Sequence, residues 1–161
     1  MRRIVLFLLV VGVYAVSVAL PVQRADAQDE LATDEALYIG RATAWLSMTG
    51  LSYEELGELL QEPQVGVITW ENDVLAELGV FDAVEQDAKD TDEPRSLRDV
   101  HESLLEAFEL SNEASVEIRA GLEAYDASRF EQATPLIEDA NEAIEDAVDG
   151  LEEFAEGSAE S

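Results

Sequence analysis

The chain has 161 residues, 37 acids against 9 lysines and arginines, and a formal net charge of −28. Phosphates would be repelled by such a surface, which excludes nucleic acid as a partner and disfavours anionic lipid. With no cysteine, the chain can form no disulfide and no lipobox anchor, and cannot act through a thiol.

The first element is an apolar run, Ile4–Val22, preceded by Arg2 and Arg3 and followed by Ala25-Asp26-Ala27. A charged start, an apolar middle and a small-x-small end define a secretory signal peptide over residues 1–27. At 19 residues the run could also span a bilayer if it were retained, making it an uncleaved anchor. Pro21 and the polar Gln23–Asp26 favour cleavage. Either way residues 28–161 face outward, because the arginines stay inside. A membrane association is expected only if the run is kept.

Helix 1 is expected to begin after Thr33, its N-cap, with Asp34 and Glu35 in its first turn, and to run to Gln61 before Glu62-Pro63. Gly50 sits mid-helix and could bend or break it. Its inward face is read as Leu37, Ala44, Met48, Leu51, Leu56 and Leu59. On that reading Tyr38, Arg41 and Trp45 form an outward stripe of the residue types enriched in binding hot spots, a docking face for a protein partner or for self-association. The alternative is a helix whose buried face is simply wider.

Helix 2 is expected after Thr69, with Trp70, Val74, Leu78, Phe81 and Val84 as its apolar stripe. A polar linker follows at Lys89–Glu93. Around it, Asp87, Asp90, Asp92 and Glu93 are the best candidates for a weak calcium site. They lack the spacing of an EF-hand, and a solvated charge run explains them better. A salt-adapted surface is the companion reading, since molar salt shortens the Debye length to about 3 Å and silences self-repulsion.

Helix 3 starts at Pro94. Its seam, Leu97, Val100, Leu104, Phe108, Ser111, Ser115, Ile118, Leu122 and Tyr125, steps by three or four residues throughout. The serines imply either a close neighbour or a weak core layer. After a turn at Asp126–Arg129, helix 4 carries Phe130, Ala133, Ile137, Ala140, Ile144, Ala147, Leu151 and Phe154, with Pro135 either kinking it or opening it. Residues 157–161 read as a disordered tail.

Four amphipathic helices with short connections predict an all-α, antiparallel up-down-up-down four-helix bundle over residues 28–156. Trp70, Phe81, Phe108, Phe130, Ile137, Ile144 and Phe154 are expected in its core.

The segment P-R-S-L-R-D-V-H-E-S-L-L-E-A at Pro94–Ala107, the turn at Tyr125–Phe130 and the alanines at 133, 140, 143 and 147 resemble a layout of uncharacterised exported helical-bundle proteins of bacteria. The resemblance spans residues 92–155 and implies an exported bundle without an assigned activity. Tyr125–Ala133 also resembles a tetratricopeptide turn, but no copy recurs at a period near 34 residues, so a solenoid is rejected.

Enzymatic chemistry finds few residues. His101 is the only histidine, read as a helix-surface residue bonded to Glu102 or Glu106. There is no G-x-S-x-G element for a nucleophilic serine. Arg98 stands where a di-iron Glu-x-x-His motif would need its acid, and covalent haem attachment lacks its cysteines. A non-covalent haem would have to use His101 with Met48, and Met48 is better explained as core filler. The reading is therefore a non-enzymatic, exported binding module without cofactors, with an acidic salt-adapted or cation-binding protein as the alternative.

Overall fold

A computed structural model describes residues 33–159; the signal peptide and residues 160–161 lie outside them. Four α-helices follow one another: α1 (Thr33–Gln61), α2 (Ile68–Lys89), α3 (Arg98–Ala124) and α4 (Ala127–Ala159). A single 3-10 turn, Arg95–Leu97, leads into α3.

Burial shows the up-down-up-down order directly. One core cluster joins Tyr38, Ala42, Trp45 and Leu46 of α1 to Val84 and Ala88 of α2, to Val100, Leu104 and Phe108 of α3, and to Ala143, Ala147 and Leu151 of α4. The other joins Tyr53 and Leu56 to Trp70, Val74, Leu78 and Phe81, to Ile118 and Leu122, and to Ala133 and Ile137. The start of α1 thus packs with the end of α2, the start of α3 and the end of α4, as antiparallel neighbours must.

The seams of α2 and α3 lie where their spacing puts them. Trp70, Val74, Leu78, Phe81, Val84 and Ala88 are buried on α2, and every α3 seam position from Leu97 to Leu122 is buried. Tyr125 is the exception. It adopts the left-handed conformation (φ 54°) as the α3 C-cap and its ring is exposed. On α4, Ala133, Ile137, Ala140, Ala147 and Leu151 are buried, while Phe130, Ile144 and Phe154 are half-buried against the core. α3 and α4 form the most extensive helix pair. A Cβ on Gly121 would meet the Phe130 ring at 2.8 Å, and one on Gly150 would meet Val100 at 2.9 Å, so glycine sets the approach near both ends of the pair.

Helix ends differ from expectation in detail. Thr69 does not cap α2; Val67 takes the N-cap position without a side-chain bond, and Glu71 reaches back to the Gly66 N–H instead. The Trp70 indole N–H donates to the Leu59 carbonyl at 2.9 Å, satisfying a last-turn acceptor of α1. Asp126 caps α4, accepting from the Ser128 N–H at 3.0 Å. α1 is continuous through Gly50 and α4 through Pro135, and α4 runs on to Ala159, into the segment read as a tail.

Between the two core clusters lies a buried polar layer of Thr49, Ser52, Ser111 and Ser115. Ser111 and Ser115 donate to carbonyls one turn back, and the Tyr53 hydroxyl donates to Ser111 at 2.7 Å. The Thr49 hydroxyl is buried with no hydrogen-bond partner. An unpaired buried hydroxyl costs about 1–3 kcal/mol. Thr49→Val keeps the shape and removes that group, so it is expected to raise stability by about 1 kcal/mol in chemical denaturation. A loss of that size would show that the hydroxyl is satisfied in solution.

Candidate functional site

From Leu37 to Leu51 α1 turns its faces opposite to the sequence reading, whereas Leu56 and Leu59 lie inward as read. Leu37, Ala44, Met48 and Leu51 are exposed, whereas Tyr38, Ala42, Trp45, Thr49, Ser52 and Leu56 are buried. Both sets keep helical spacing, so spacing alone does not choose between them. Volume does: Tyr38, Trp45 and Tyr53 bury far more surface than two leucines and a methionine. Each ring also carries a polar tip that finds a partner on another helix. Tyr38 OH lies 2.8 Å from His101 Nδ1, Trp45 Nε1 donates to Asp87 at 2.7 Å, and Tyr53 bonds Ser111. The aromatic members of the expected docking stripe, Tyr38 and Trp45, are therefore internal, at 4% and 3% exposure; Arg41 alone of the three is exposed.

Those contacts gather most of the sequence candidates at one end of the bundle. A cleft of about 570 Å³ lies between the start of α1 and the α2–α3 connector, lined by Asp34, Leu37, Tyr38, Arg41, Thr91, Asp92 and Glu93 with Pro94. Arg41 donates to the Thr91 hydroxyl at 2.9 Å and stands 3.8 Å from Asp87. Thr91 donates in turn to the Asp87 carbonyl. Glu93 lies 3.5 Å from Arg98. A hydrogen bond from its own backbone N–H, with the hydrogen bond and charge of Arg98, holds the Glu93 carboxyl below its ordinary range. Burial and the Glu93 charge push the Tyr38 hydroxyl up.

Of the four candidate carboxylates, Asp87 lies on α2 and Asp90, Asp92 and Glu93 in the connector after it. Asp87 is engaged by Trp45 and Arg41, Asp90 accepts from Gln86, and Glu93 is paired with Arg98. Among the described residues no three histidine, aspartate or glutamate side chains are grouped to hold a metal. Sparse bases also stitch the helices together: Lys89 joins Glu85 of α2 to Glu109 of α3, and Arg119 of α3 meets Asp82 of α2.

His101 differs from its expected place on the surface. It is 6% exposed, stacked edge-on to Tyr38, and bonded across to α1 rather than to Glu102 or Glu106. Met48 points the other way, into solvent, so the two do not form an axial pair for haem.

Tyr53 carries the clearest titration consequence. Burial pushes its hydroxyl up to about 12, partly offset by the Ser111 bond. The fold thus holds the neutral phenol where the unfolded chain, at its ordinary value of 10.0, releases the proton. Stability is expected to be unaffected below pH 10 and to fall between pH 10 and about 12. Denaturation midpoints across that range should fall less steeply in Tyr53→Phe. An equal fall in both proteins would contradict the assignment.

The outer face of α1 is the second feature of this end. Leu37, Gly40, Ala44, Met48 and Leu51 share an arc of about 80° along about 21 Å of helix. Leu37 is 68% exposed, Leu51 62% and Met48 46%. Between Glu35 and Glu54 the only charged residue of α1 is Arg41. On α4, by contrast, exposed positions hold Glu138, Asp139, Glu142, Glu145, Asp146, Asp149, Glu152 and Glu153.

No family, no curated protein and no solved structure matches the chain. Among the described residues no helix is long and apolar enough to cross a membrane.

Proposed function

We propose that this chain is exported and acts as a non-enzymatic interaction module that docks a protein through the outer face of α1. The observation that carries the reading is the uncharged, exposed apolar stripe from Leu37 to Leu51 on a chain of net charge −28. Isolated exposed leucines are ordinary, but an aligned set on the one acid-poor stretch of helix marks an interaction surface. Export rests on the signal-type N-terminus.

A photo-crosslinking side chain at Met48, in the chain expressed with its leader, tests the reading. Defined adducts in the exported fraction are expected from that position and not from Glu145 on α4. Equal or absent labelling at the two positions would overturn it.

The dispersed carboxylates support salt adaptation over a cation site. Calcium titrated at a fixed 1 M NaCl is expected to leave helix content and Tm unchanged, while Tm rises with NaCl itself. A saturable gain at micromolar calcium would contradict this.

A further inference from the structure

We infer that the partner of the α1 outer face is a second copy of the chain, packed antiparallel about a twofold axis at Ala44. The inference rests on the interaction reading above and names its occupant. Two observations lead to it.

The first is the register of the stripe. Leu37 and Leu51 lie seven residues either side of Ala44, and Gly40 and Met48 lie four either side. An isologous contact needs a patch that is complementary to itself. With an axis at Ala44, Leu37 meets the partner's Leu51, and Met48 meets the partner's Gly40. A Cβ added at Gly40 would touch nothing within 4 Å, so the space above it is open to receive a methionine side chain. Ala44 meets its own copy and permits a short interaxial distance. A parallel pairing would instead set Leu37 on Leu37 and Gly40 on Gly40, leaving the gap unfilled.

The second is charge. Two copies that each carry −28 repel wherever carboxylates face one another. The α1 stripe is a surface where like chains can meet without stacking acids. A contact of one helix face falls well short of the ~800 Å² per partner of a standard stable interface. The dimer is therefore weak, and it strengthens as salt screens the remaining surface.

The test uses the chain purified from the exported fraction. Sedimentation velocity should show monomer at low salt and dimer in 2 M NaCl, with affinity rising at least about 10-fold between the two. Ala44→Glu places two carboxylates on the axis and should abolish the dimer while circular dichroism stays that of the parent. A parent that stays monomeric at millimolar concentration in 2 M NaCl overturns the inference, as does an Ala44→Glu variant that still dimerises.

Cysteine placement reads the register, because the chain has none of its own. Ala44→Cys alone should form a disulfide dimer. Leu37→Cys and Leu51→Cys should not form one separately, since each would sit about 21 Å from its own copy. Mixed, those two variants should crosslink. Strong self-crosslinking of Leu37→Cys would mean a parallel pair and would overturn the antiparallel assignment.

The two readings fail separately. Photo-crosslinked adducts at a mass other than twice the chain, with a monomeric purified protein, would remove the self-pairing and keep the interaction face. Equal labelling at Met48 and Glu145 would remove both.

Discussion

Trp45→Ala is expected to lower unfolding stability by about 3–5 kcal/mol, the loss typical of deleting a fully buried large ring. Trp45 is 3% exposed, edge-on to Tyr38 at 6.1 Å and to Phe108 at 6.2 Å between ring centroids. Its removal leaves a cavity at the meeting of α1, α2 and α3, and strips Asp87 of its 2.7 Å hydrogen bond. Domains of this size hold about 5–15 kcal/mol in total, so the variant should approach the limit of folding in moderate salt. Urea denaturation measures the loss. A change under about 1 kcal/mol would mean that Trp45 lies outside the core after all, and would return the aromatic stripe to the surface.

Phe108→Ala should cost a similar amount, about 3–5 kcal/mol. Phe108 is 1% exposed on α3 and is among the largest fully buried side chains. Because it touches Trp45, the two losses should not add. The double variant should fall short of the summed single effects by roughly 0.5–1.5 kcal/mol, the worth of an aromatic pair beyond its burial. Strict additivity would contradict the contact.

The legibility of the sequence varied between elements for physical reasons. α3 and α4 each present one apolar stripe against a face dense in acids, so position and burial follow from spacing. α2 behaves likewise from Trp70 to Ala88. α1 has almost no charge between Glu35 and Glu54 to mark its wet side, and two stripes of equal period compete for the core. What decides between them is aromatic volume, together with the polar groups that meet Tyr38, Trp45 and Tyr53 from α2 and α3. Those partners, His101, Asp87 and Ser111, lie 42 to 63 residues away in the chain. No local pattern announces them, although three aromatics with polar tips within 16 residues are a signal for an inward face. The cleft was legible only in parts. Tyr38 and Arg41 stand out on one helix, and Asp92 and Glu93 on a distant linker. Their juxtaposition depends on how the α2–α3 connector folds back over the start of α1.

Apart from the initiator Met1, Met48 is the sole methionine, so peroxide oxidation of that residue reports on the α1 outer face alone. Its rate, followed by mass spectrometry, should be several-fold lower in the exported fraction than in dilute purified monomer, because a docked face shields the thioether. Equal rates in the two settings would show that the stripe stays open to solvent where the protein works, and would contradict the assignment of α1 as its interaction surface.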